Sequence, residues 1–219
     1  RQDAKKGKIF SRLIREITVS AKLSGGSAED NPRLRTALDK ALASNMPKDT
    51  IERAVSRGVG DSEGDNLEEV THEGYGPGGV AVLVESMTDN NNRTVAEVRH
   101  AFTKAGGNLG TDGSVSYLFV KKGLIKISKD CDEEIVMDLS INSGVDDIER
   151  NIDNTISLFV DPDKYLNLLN SLKEAEIIIE DSEISLFPEN TVSLDLDIAL
   201  KVYKLLEILE DLDDTQNVH

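Results

Sequence analysis

Gly74, Gly76 and Gly79 satisfy the spacing G-x-G-x-x-G, the pattern that lets a backbone approach a dinucleotide pyrophosphate. That chemistry also needs the glycine loop to open a helix, whose N-terminal N–H groups receive the phosphates. Here the loop opens Val80-Ala81-Val82-Leu83-Val84, a run with strand character. The glycines therefore read as a turn, with Pro77-Gly78 at the centre of a type II geometry. No glycine loop is followed by Gly-Lys-Ser/Thr, so there is no P-loop. The three histidines, His72, His100 and His219, are scattered and form no zinc spacing, and His72 and Glu73, adjacent on a strand, point to opposite faces. Ser114 and Ser116 follow Gly113 without making a nucleophile elbow. Cys131 is the only cysteine, and its neighbours Asp130, Asp132 and Glu133 disfavour a thiolate. The acidic groups Asp146-Asp147 and Asp211, Asp213, Asp214 read as solvated faces. No arrangement of catalytic groups emerges, so the expectation is a protein that is not an enzyme, with no cofactor, no metal and no small-molecule substrate.

Charge carries more information. The chain of 219 residues has a formal net charge of −16, divided unevenly. Residues 1–60 hold 13 Lys/Arg and 7 Asp/Glu, a net of +6, whereas residues 61–219 carry −22. An acidic body repels polyanions over most of its surface, but a basic terminal module can still approach one. On a helical projection of residues 4–24, Ile9, Phe10, Leu13, Ile14, Ile17 and Ala21 share one arc. Lys5, Lys8, Arg12, Arg15 and Lys22 share the opposite arc, and Arg33, Arg35, Lys40, Lys48, Arg53 and Arg57 follow on the next two helices. One face to pack and one face of cations is the arrangement that phosphate contacts need. Lys5, Lys8, Arg12, Arg15, Lys22, Arg33, Arg35, Lys48, Arg53 and Arg57 are the candidate nucleic-acid-binding residues. The alternative is a solvated surface helix; a membrane-surface role is disfavoured because the apolar arc is needed for packing.

These residues are positioned by three zones. Asn31-Pro32 caps and starts a second helix, with Leu34, Leu38, Ala41 and Leu42 on its apolar face, and this helix must stop before Pro47. Residues 48–57 form a third helix, with Ile51 and Val55 inward, and Gly58–Asn66 form a linker. Strand signals follow at 67–73 and 79–86. Asp89-Asn90-Asn91-Asn92 precedes a helix over about 93–105 that ends at Gly106-Gly107, and residues 114–120 and 123–128 read as a hairpin. The Asp89–Asn92 run lacks the spacing and final Glu of a calcium loop, and helix capping accounts for it. Asp89, Asn90, Asn92, Arg93 and Arg99 are retained as a candidate functional loop. The last zone has helices at 132–142, from Asp161-Pro162 to about Ala175 and over 195–212, with strands at Thr155–Val160, Ile177–Ile179 and Ser182–Pro188. This mixed, local order fits an α+β fold.

Several of these segments resemble the YebC/PmpR family. They are Lys6–Phe10, Leu13–Val19, Asn31–Arg35, Asn45–Ala54, Glu73–Ala81, Thr88–Arg99 and Gly106–Gly110, in the family's order and spanning essentially the whole chain. Val120 stands where the family more often has an acid, and His72 where an aromatic is common. The family usually begins with a further Lys-, His- and Trp-rich stretch, which would enlarge the basic front end. The resemblance implies three domains: a helical module and linker at 1–66, an α+β domain at 67–128 plus 189–219, and a second α+β domain inserted at 129–188. It also implies DNA-binding transcriptional regulation. Mitochondrial relatives act as translational activators for a respiratory-chain subunit, and bacterial members are implicated as ribosome-associated factors that relieve stalling.

Two functional expectations follow. The first is a regulator of gene expression that holds DNA through the basic helices. The second is a translation factor whose same module holds ribosomal RNA. A −16 protein would bind duplex DNA weakly and with steep salt dependence, and no helix-turn-helix reader stands out. The expected partners are nucleic acid, DNA or ribosomal RNA, and the ribosome, with no membrane. No apolar run reaches the roughly 18 residues of a membrane span, no signal peptide is visible, and a single cysteine fits a reducing compartment. The expected location is the cytoplasm.

Overall fold

The computed structural model describes residues 2–60 and 66–219; the expected linker falls partly at 61–65, outside the described residues. Helices α1 (Gln2–Ser24), α2 (Pro32–Ala43) and α3 (Lys48–Val59) form the N-terminal module. Asn31 caps α2 by accepting from the Leu34 N–H, and its side-chain amide donates to the carbonyls of Ser20 and Gly25. A single buried residue thus ends the α1 turn and starts α2. The core is Ile17, Ala21, Leu34, Ala37, Ala41, Met46, Ile51 and Ala54, with Phe10, Leu13, Ile14, Leu38 and Val55 against it. Two expected core positions, Ile9 and Leu42, are exposed.

The first sheet has the order β3-β1-β2-β8 and comprises β1 (Glu68–Tyr75), β2 (Ala81–Thr88), β3 (Asn108–Leu109) and β8 (Thr215–Val218). β1 and β2 pair antiparallel from Glu68↔Thr88 to Tyr75↔Ala81. Their turn contains Gly78 at φ 70°, ψ 14°, which fits the third position of a type II turn and requires glycine. Helices α4 (Asn91–Lys104) and α7 (Leu196–Asp211) supply Val98, Ala101, Phe102, Leu205 and Leu209 to a core shared with Val82 and Val84. The chain thus returns from residue 193 onward to complete the unit that began at its N-terminus.

The second compact unit, Tyr117–Val192, runs β4 (Phe119–Ile127), α5 (Glu133–Ser143), β5 (Asp147–Arg150), β6 (Ile156–Val160), α6 (Pro162–Glu174), β7 (Ile179–Pro188). This is a βαββαβ order, with antiparallel pairing in the sequence β5-β6-β4-β7, the ferredoxin-like arrangement. Ile125, Ile127, Leu158 and Val160 pack against Tyr165, Leu168 and Leu172.

The α+β class and the order of a helical module followed by two sheet regions hold. The boundaries differ. Residues 114–128 are not a hairpin: β4 pairs with β7 from Phe119 to Ile127, so the expected boundary after 128 falls after Ser116, and the return lies after Val192 rather than at 188. Gly123, expected at the start of the second hairpin strand, lies inside β4, where a Cβ would stand 2.5 Å from the Tyr165 ring. Likewise Gly58 is not linker. It is buried inside α3, where a Cβ would stand 2.8 Å from Ala21 Cβ on α1, so glycine sets the approach of the two helices. Ile179 and Ser182–Pro188 fall in one strand, β7, with Ile177 and Ile178 just before it. The short strands β3, β5 and β8 gave no alternation to read. Gly58→Ala should lower stability by about 1–3 kcal/mol through overpacking, read as a fall in the thermal midpoint, whereas Gly7→Ala, which meets nothing within 4 Å, should leave it unchanged or higher.

Candidate nucleic-acid interface

The cations of α1 do not form one free stripe. Lys8 Nζ lies 2.8 Å from Asp211 Oδ1. Arg12 donates to the Glu210 carbonyl at 2.6 Å, and Gln216 Nε2 donates to the Arg12 carbonyl at 3.0 Å. Arg15 donates to the Met87 carbonyl at 2.7 Å and to Asp214 Oδ1 at 2.9 Å. Lys8, Ser11, Arg12, Arg15 and Asp213 line a shallow cleft of about 520 Å³. Further along, Arg33 bridges Glu16 and Glu69, its hydrogen bond with Glu16 holding it charged more firmly than usual. Arg35 donates to the carbonyls of Ala28 and Glu29, and Arg53 pairs with Asp49 one turn earlier. Lys5, Lys22 and Lys48 are exposed and meet no carboxylate among the described residues; Arg57 is also exposed. The ten candidates therefore divide into cations that hold the module to its own unit and cations that face solvent.

Of the first group, Arg15 reaches Asp214, whose side chain is 1% exposed, and Arg93 of α4 meets the same carboxylate. That aspartate was expected on a solvated face; Asp211 and Asp213 do lie in solvent, but Asp214 is turned inward. Arg93 Nη2 donates to both carboxylate oxygens, at 3.1 and 2.8 Å, and Thr94 Oγ1 donates to Oδ2 at 2.8 Å. The Met87 N–H donates to the Asp214 carbonyl at 2.9 Å. Burial alone would raise the Asp214 pKa. The hydrogen bonds from Arg93, Thr94 and Arg15 outweigh it and hold the carboxyl below its ordinary 3.8.

The candidate loop is explained largely by this network. Asn90 caps α4 by accepting from the Arg93 N–H at 3.1 Å, and Asp89 pairs with Arg93 at 2.8 Å. Asp89, Asn90 and Arg93 therefore order the helix start and its tie to β8. Asn92 and Arg99 take no part and are exposed on α4.

A second buried carboxylate went unnoticed in the sequence. Glu73 accepts from the backbone N–H groups of Gly113, Val115 and Ser116 at 2.6, 2.9 and 2.5 Å. Burial raises its pKa, but those three donors outweigh it and lower the net value. An internal anion thus fills the N–H cradle of the loop after β3. Beside it on β1, His72 is buried, which lowers its pKa against the opposing pull of Asp112 and a hydrogen bond with Asn91. The Cys131 thiol is raised chiefly by burial, and among the described residues no group of three His, Cys, Asp or Glu could hold a metal ion. No described helix is long and apolar enough to cross a membrane.

Fold and site define an α+β protein whose basic helical module is latched by its own cations to an acidic body. Residues 1–61 match the family described as TACO1/YebC protein N-terminal domain, and residues 67–219 match TACO1/YebC second and third domain. The chain belongs to the TACO1/YebC family. It is 53% identical over 219 residues to the transcriptional regulatory protein PmpR of Pseudomonas aeruginosa, covering all of this chain and 88% of that protein. It is 55% identical over 218 residues to a protein of Nitrosococcus oceani named probable transcriptional regulatory protein, with the same coverage. The crystal structure of a conserved hypothetical protein, Aq1575 from Aquifex aeolicus, superposes with a TM-score of 0.90 at 46% identity, over all of this chain and 90% of that one.

Asp214→Asn should cost about 2–3 kcal/mol, because it leaves Arg15 and Arg93 without their shared anion; chemical denaturation measures this. The pH dependence follows in two windows. Asp214 and Glu73 have folded pKa values below their ordinary 3.8 and 4.5, so their contribution is complete only above those ordinary values and is lost as pH falls through the folded ones. His72 is also lowered, so its contribution is complete above 6.5 and declines as pH falls below that value. His72→Gln should therefore flatten the stability curve just below pH 6.5 while leaving the carboxylate window in place.

Proposed function

We propose that this protein is a nucleic-acid-binding regulator of gene expression, acting in the cytoplasm as a DNA-binding transcriptional regulator through its N-terminal helices rather than as a catalyst. The observation that carries this reading is the set of solvent-facing cations, Lys5, Lys22 and Lys48, on a module of net +6. Phosphate contact needs cations that are not already spent on internal carboxylates, and these meet none among the described residues. The names of the regulators from Pseudomonas and Nitrosococcus support the same reading. The paired residues Lys8, Arg12, Arg15 and Arg33 would support the module's placement rather than touch phosphate.

A second reading is favoured by α3. Its exposed outer side carries Asp49 and Glu52 beside Lys48, and Arg53 is tied to Asp49, which is a poor reader for base edges. Backbone contact without base reading suits ribosomal RNA, with the −22 body turned toward basic ribosomal protein. Lys22→Glu with Lys48→Glu should weaken binding to either nucleic acid and lower the salt slope by about 2, measured by fluorescence anisotropy. Binding unchanged by both reversals overturns the module as the contact surface. Sedimentation with ribosomes at moderate salt, set against cross-links that map to promoters, separates the two readings.

A further inference from the structure

The unit that contains the first sheet is acidic, yet one of its helices presents cations to solvent without acidic neighbours. The inner side of α4 packs through Thr94, Val98, Ala101 and Phe102. Its outer side carries Asn92, Ala96, Arg99 and Thr103 at i, i+4, i+7 and i+11, with Lys104 at its edge, all exposed. These positions extend along about 16 Å of helix. The only acid on α4 is Glu97.

The neighbours of Arg99 at three and four residues' distance are Val95, Ala96, Phe102 and Thr103. None can form the i,i+4 ion pair that normally neutralises a helix cation, and neither Arg99 nor Lys104 meets a carboxylate among the described residues. The contrast with the other cations of this body is specific. Arg93 is bound to Asp89 and Asp214. Lys201 and Lys204 on α7 have Asp197 and Glu207 one turn away. Lys104, in the last turn, also complements the helix dipole, but that effect fades within one turn and does not reach Arg99.

We infer that the outer face of α4, flanked by Arg99 and Lys104 with Asn92 and Thr103 between them as neutral donors, is a second contact surface for a phosphodiester backbone, separate from the helical module. This inference rests on the reading of the protein as nucleic-acid-binding. The two cations are about 7 Å apart along the helix axis and about 140° apart around it, so they flank the outer face from its two edges and would meet a backbone laid across the helix rather than along it. On a body that repels phosphate elsewhere, such a face would orient the nucleic acid as well as add affinity.

The test uses the full chain, with a labelled DNA duplex and a labelled RNA hairpin as probes, and anisotropy titrations across a salt series. Arg99→Gln with Lys104→Gln should lower the salt slope by about 2 and weaken binding about tenfold or more, with an unchanged thermal midpoint. The same charge change at Lys201 and Lys204 controls for net charge and should have little effect. An α4 variant that behaves like this control, while Lys22→Glu with Lys48→Glu still loses binding, overturns the α4 surface and leaves the proposed function standing. Loss in the α4 variant alone supports this surface and overturns the helical module as the contact. If the unaltered protein binds neither probe, both fall. The probe that shows the larger α4 effect identifies the backbone as DNA or RNA.

Discussion

A carboxylate removed from water must be repaid by donors, and in this protein that requirement falls on Asp214. Its donors come from three places distant in sequence: Arg15 on the first helix, Thr88 at the end of β2, and Arg93 and Thr94 at the start of α4. The loop after β3 obeys the same rule around Glu73, whose donors are backbone N–H groups instead of side chains. Two buried anions therefore order much of the polar structure of the first unit, while its apolar core supplies the bulk of the burial.

This explains why the basic front end does not behave as a single surface. A helix with apolar and cationic sides has two ways to use its charge, and this one uses both. Toward the C-terminal segment, lysine and arginine meet Asp211, Glu210 and Asp214. Elsewhere on the module, Lys22 and Lys48 remain in water. Net charge alone cannot separate these uses, because a latched cation and a free one count equally.

The sequence was legible where the determining neighbours were close in the chain. Asn31 read correctly as a helix cap and the Asp89–Asn92 run as capping, since a cap's partner is three residues away, and the apolar arc of α1 from Phe10 to Ala21 followed from helical spacing. The Gly-rich turn between β1 and β2 was legible for the same reason. What stayed hidden depended on partners far away. Asp214 looked like one more acid in a charged run, because the guanidinium that buries it lies 199 residues earlier. Gly58 looked like linker, because only the helix pressed against it explains it. The candidate loop was legible as a cap but not as a link to β8.

The position of Asp214 in the chain also bears on the order in which this protein can be completed during synthesis. Arg15, Arg93 and Thr94 emerge long before it, and the whole of residues 117–192 is made in between. The second unit is contiguous and can close as soon as it is made, whereas the first helix must wait for its anion. His219, which exchanges both backbone hydrogen bonds with Leu83 at 2.8 Å, arrives later still. A nascent chain therefore carries a finished insertion within an unfinished host, with its basic helix unlatched until the final strand is in place.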